Sequence, residues 1–119
     1  MKKRSETVKA FLDLLDESVK LLPMAEERLK REDDLTRDLL HAIELGTGYK
    51  ERNKHATLLA QNRRDRRDCK DAIEELNLLT AWALKNSGAV NQLKQVLGEL
   101  RKAEKHHENR HYNPRVLKE

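Results

Sequence analysis

The sequence predicts an all-α protein, an elongated antiparallel helical hairpin or three-helix bundle with coiled-coil-like packing. Three observations predict it. Charged residues make up 39% of the chain and aromatics only 3%, so a core must come from Leu, Ile, Val and Ala under long solvated faces. Apolar residues recur at three-four spacing in three long stretches. Strand signals are nearly absent, because β-branched residues are scarce and no stretch alternates apolar with polar for long. The length of 119 residues fits one domain with a modest core. That domain is expected over residues 1–110, with an extended tail over 111–119.

The first helical stretch runs from about 5 to 45. Val8, Phe11, Leu15, Leu22, Ala25 and Leu29 follow the helical spacing, and Ser18 fills the one gap. Pro23 lacks an amide donor and clashes with the preceding turn, so a kink or break is expected there. After Leu29 the stripe slips to Leu35, Leu39, Ala42 and Ile43. Glu32-Asp33-Asp34 between them reads as a helix restart over 31–34, since carboxylates favour a helix amino end. Gly46-Thr47-Gly48 should end the stretch, with glycine free to take a left-handed cap.

A second helix is expected over 49–85. Its ends are apolar, with Ala56 and Leu59 on one side and Cys69, Ile73, Leu76 and Leu79 on the other. Its middle puts Asn62 and Arg66 on the stripe that should be buried. Asn86-Ser87-Gly88 should close it. The third helix, over 89–109, carries a regular seam of Val90, Leu93, Leu97 and Leu100 with Val96 beside it, expected to pack on Leu76, Leu79 and Ala83. Trp82, near this junction, is expected to be a core or hinge anchor because large rings supply much burial in a ring-poor chain. In the tail the residue before Pro114 favours an extended backbone. Tyr112, Val116 and Leu117 are expected to dock onto the body, with a partner as the alternative.

The formal net charge is +4, from 25 basic and 21 acidic residues. A nearly balanced chain permits an acidic partner without demanding one. The arginine-rich stretch is the strongest local feature: Arg63, Arg66, Arg67 and Lys70 lie three or four apart and share a face. Three readings stay open. The row is a solvated face with internal pairs such as Arg64–Asp68 and Arg67–Asp71. Alternatively it meets an acidic protein surface, where arginine forks pair carboxylates. Or it tracks phosphates, against which the lack of interleaved aromatics counts.

His107 and His111 are four apart, with Glu104 and Glu108 beside them, which is weak ground for a metal site. The order His-His-Glu-Asn-Arg-His differs from a metalloprotease motif, and histidines near a helix carboxyl end are the simpler account. Cys69 falls on the apolar stripe and reads as a small buried hydrophobe. No phosphate-binding loop or nucleophile turn is present, so no enzyme and no cofactor is expected. With Cys69 as the one cysteine no intramolecular disulfide forms, which makes a reducing cytoplasm the default. No long apolar run follows Met1-Lys2-Lys3-Arg4, so neither a signal peptide nor a membrane span is expected. A homodimer is compatible with a helix that overhangs its neighbours.

Four segments together carry a resemblance: Leu39-Leu40-His41-Ala42-Ile43-Glu44-Leu45, the run Arg63 to Asp71, Asn91-Gln92-Leu93-Lys94-Gln95-Val96-Leu97-Gly98, and Arg110-His111-Tyr112-Asn113-Pro114-Arg115-Val116-Leu117. Over roughly its last two-thirds the chain resembles small helical hypothetical proteins of phages and integrative elements of Firmicutes. The resemblance implies a mobile-element setting and a bacterial cytoplasmic location, and it transfers no catalytic residue. In that setting a small helical protein is expected to bind a bacterial host protein, as an inhibitor of a defence or replication factor. Arg63, Arg66, Arg67, Lys70, Tyr112 and Arg115 are the expected contacts. A nucleic-acid-binding accessory role for the Arg63–Lys70 face is the alternative.

Overall fold

A computed structural model of the chain describes residues 2–110 and Val116. It contains three helices: α1 (Arg4–Leu45), α2 (Tyr49–Lys85) and α3 (Ser87–Glu108). No strand occurs among the described residues, so the all-α expectation holds. The helices form an elongated hairpin, 96 × 36 × 13 Å across, with a radius of gyration of 26.0 Å. A compact chain of this length would have a radius near 13–14 Å. The thinnest dimension leaves room for little more than one layer of helices. No helix is long and apolar enough to cross a membrane among the described residues.

α1 and α2 pair antiparallel along one seam. Asn62 meets Thr36 in the half nearer the turn, and Phe11 meets Trp82 toward the open end. On α2 the seam is regular: His55, Leu59, Asn62, Arg66, Cys69, Ile73, Leu76, Thr80 and Ala83 are each at least half-buried, at alternating four-three steps. On α1 it runs through Val8, Leu12, Leu15, Ser18, Leu22, Ala25, Leu29, Glu32, Thr36, Leu39 and Ile43. Leu12 rather than Phe11 is the buried apolar residue at this point, Phe11 being exposed.

α1 is unbroken through both expected interruptions. Pro23 sits inside the helix at an exposed position. Helix also continues through Glu32-Asp33-Asp34, where a restart was expected. The physical reason is that the stripe does not slip: Glu32 and Thr36 take its next two places and are matched by Asn62, a polar residue, across the seam. What looks like a gap in hydrophobicity is a polar layer shared by both helices.

The hairpin turn also departs from expectation. Gly46 has an extended backbone (φ −66°, ψ 136°), not a left-handed one. Glycine is needed there for proximity, since a Cβ would lie 2.9 Å from the Ala42 carbonyl oxygen. Arg52 Nε donates to the Gly46 carbonyl at 2.9 Å, tying the start of α2 to the end of α1.

Asn86 does not close α2 into a loop. Its amide donates to the Trp82 carbonyl at 2.9 Å, and the Val90 amide donates to the Asn86 carbonyl at 3.0 Å. Both are helical i to i−4 bonds, so the ladder passes through Asn86, whose φ of −115° and ψ of 33° mark a bend. Consequently α3 does not fold back on Leu76, Leu79 and Ala83 as expected, and more of its contact is with α1 than with α2. Its last turns reach the amino end of α1. Ser5 Oγ donates to Glu104 Oε1 at 2.5 Å, the Ser5 amide donates to Glu104 Oε2 at 3.3 Å, and Lys3 Nζ pairs with Glu108 at 2.5 Å. Glu104 thus serves as a cap borrowed from another helix, accepting an amide that α1 leaves unpaired.

Candidate functional site

Two broad faces flank the α1–α2 seam, and helical spacing sorts the side chains between them. Arg63, Arg66, Arg67 and Lys70 line a shallow depression of about 370 Å³ on one face. α2 is regular there, so steps of three and four bring all four onto one side. Arg64 turns away and donates to Gln61 Oε1 at 2.8 Å.

The four cations are not equivalent. Arg66 occupies a seam position and its Nε pairs with Asp33 of α1, each side chain about two-fifths exposed. That pair fixes the guanidinium against the hairpin and offsets its charge. Arg63, Arg67 and Lys70 are exposed, and no ion pair to any of them forms among the described residues. The expected pairs Arg64–Asp68 and Arg67–Asp71 are not made. Asp65 instead accepts from Gln61 Nε2 at 2.9 Å. The depression therefore presents a fixed arginine beside three solvated cations. Tyr112 and Arg115 lie outside the described residues, as do His111 and Leu117, whereas Val116 is exposed.

Next to this depression lies the polar layer. Asn62 is 1% exposed. Its Nδ2 donates both protons to Glu32, one to the carbonyl at 3.0 Å and one to Oε2 at 2.7 Å. The Thr36 hydroxyl lies 2.6 Å from Asn62 Oδ1 and 2.9 Å from the Glu32 carbonyl, and its single proton serves one of them at a time. Sequence reasoning finds Asn62 on the buried stripe but misses its partners. The available signal is that Glu32 and Thr36 fall three and seven residues after Leu29, in phase with it.

On the opposite face, Leu21, Met24, Ala25, Cys69, Ala72 and Leu76 border a groove of about 560 Å³. Cys69 is a buried free thiol at its floor, as its place on the apolar stripe predicts. Trp82 is nearly half-exposed, and its ring meets Phe11 edge-on with centroids 6.1 Å apart at 73°. It joins α1 to α2 just before the bend without being enclosed.

Among the described residues, the weak metal candidates Glu104, His107 and Glu108 are not brought together into a site. Glu104 is held by Ser5 and Glu108 by Lys3. His107 faces His106, with ring centroids 6.1 Å apart. No group of three His, Cys, Asp or Glu side chains with metal-binding geometry occurs among the described residues. The Ser5 hydroxyl bond, ahead of the Ser5 amide and the Lys3 charge, holds the Glu104 carboxyl below its ordinary pKa, while the hydrogen bond and charge of Glu108 raise that of Lys3. Both shifts follow from helix docking.

No known protein family, curated protein or solved structure matches this chain.

Proposed function

We propose that the protein is a non-enzymatic interaction factor encoded by a phage or other mobile element, which binds an acidic surface of a bacterial host protein and inhibits a defence or replication function. The observation that carries this reading is the set of three solvated cations, Arg63, Arg67 and Lys70, held in a row on a regular helix beside a fixed fourth. Guanidinium forks displayed at helical spacing suit carboxylates on a partner surface. Arg66, already paired with Asp33, acts mainly to set the geometry of the row.

The test replaces Arg63, Arg67 and Lys70 together by Glu and compares the proteins co-purified from the bacterial host with those held by the parent chain. Helical content by circular dichroism should not change, since all three side chains are exposed. Recovery of a specific host protein should fall by about tenfold or more, as expected when complementary charges become like charges. Equal recovery by the variant would remove this face from the function.

A second reading is favoured by the same row: cations one turn apart also suit a phosphate backbone. A nucleic-acid accessory role predicts filter binding that weakens steeply with salt, about one logarithmic unit of slope per phosphate contacted. Absence of binding at low salt rejects it.

A further inference from the structure

One face of the hairpin exposes large apolar side chains beside an open groove. Leu14, Leu21 and Met24 stand on the α1 side, exposed by 43%, 46% and 63%. The groove beside them is floored by the small residues Ala25, Cys69 and Ala72. Its rim is charged in an ordered way. Arg28 and Arg31 rise from the α1 side beside Glu27, leaving that rim net basic, and Asp68 rises from the α2 side, with Asp65 one turn before it.

We propose that this face is covered by a second copy of the same chain, giving an antiparallel four-helix bundle in which α1 of each copy lies over α2 of the other. Two physical arguments select this occupant. The first is area. The accessible surface is 10161 Å², whereas a compact monomer of this mass exposes about 6,700 Å². The excess, about 3,500 Å² per chain, is more than the roughly 1,000–2,500 Å² that each partner of an obligate homodimer buries, so the surface a second copy needs is present.

The second is charge. Rotation about an axis parallel to the helices sets Arg28 and Arg31 of one copy over Asp68 and Asp65 of the other, twice over. The alternative, α1 on α1, places the arginines against themselves and the aspartates against themselves. The basic face stays outside, so this assembly does not depend on the proposed function.

Sedimentation equilibrium on the full chain should give twice the chain mass of 13.9 kDa. Leu21→Lys with Met24→Lys should give a monomer that keeps its helical signal, because both side chains project from the hairpin. The orientation is tested by two charge variants, Arg28→Glu with Arg31→Glu, and Asp65→Lys with Asp68→Lys. Each alone should dimerise about tenfold or more weakly. An equimolar mixture of the two should recover association to within about threefold of the parent, because both rims are complementary again in the mixed dimer. Intramolecular damage would not be repaired by mixing. A parent chain that is monomeric throughout, or charge variants that dimerise like the parent, or a mixture that stays dissociated, would overturn the proposal. Reversing Arg63, Arg67 and Lys70 should leave the mass unchanged whatever it does to partner capture.

Discussion

Asn62 is buried within the seam, and each of its side-chain polar atoms has a partner on α1. A buried amide with its bonds made contributes little net stability, but removing it strands the groups it served. Asn62→Ala should therefore lower the unfolding free energy by about 1–3 kcal/mol, read from urea denaturation, because Glu32 and Thr36 lose a buried partner. The layer also specifies register. Sliding α2 along α1 by one heptad would bring Asn62 against Leu29 or Leu39, where nothing can accept or donate. The residues of this layer were half legible in the sequence. Asn62 and Arg66 stand out because they interrupt an apolar period. Glu32 and Asp33 read more readily as the start of a new helix, since a run of acids looks the same whether it begins a helix or answers a polar residue across one.

The elements hold together through features that local rules would count against them. Pro23 lies within α1 and cannot donate to the Val19 carbonyl, which weakens the ladder there. The seam on either side keeps the helix going. Pro23→Ala should restore the missing bond at an exposed site and raise the unfolding free energy by about 1–3 kcal/mol, a change measurable as a higher melting midpoint. No gain would mean that the backbone is already distorted at this point. At the amino end of α1, docking of α3 makes a pH-dependent clasp. The Glu104 carboxyl has a lowered pKa, so its contribution is complete above the ordinary glutamate value and is lost as pH falls through the lowered one. Lys3 has a raised pKa, so its contribution is complete below the ordinary lysine value and is lost as pH rises through the raised one. The clasp is thus closed between the two ordinary values. The Ser5 amide resonance should shift in acid with a midpoint below that of a free glutamate, and a midpoint at the free value would show the clasp to be open in solution. The sequence contains Glu104 and Ser5 but no sign of their meeting, because they are brought together by the bend at Asn86. Ser87 and Gly88 read as a helix stop. Continuity of the ladder across them depends on how α3 settles against α1, a tertiary fact rather than a local one.

At the scale of the whole molecule, the three-four period was enough to give helices, an antiparallel pair and an elongated outline. The division into a basic face and an apolar face was less legible. Arg63, Arg67 and Lys70 announce themselves by adjacency, but Leu14, Leu21 and Met24 look like ordinary members of an amphipathic helix until α2 is placed and leaves them outside the seam. Among the described residues, buried apolar side chains are few: Leu12, Leu15, Leu39, Cys69 and Leu97. A core that thin, drawn out along so long a pair of helices, accords with a second face waiting to be covered.

The drawn-out shape, with its radius of gyration of 26.0 Å, has a practical corollary for anyone weighing the protein in solution. Frictional drag follows length as well as mass, so even a single chain should leave a gel-filtration column ahead of round standards of equal weight. Elution volume alone would thus mimic self-association, and only a shape-independent reading can separate one rod from two laid together.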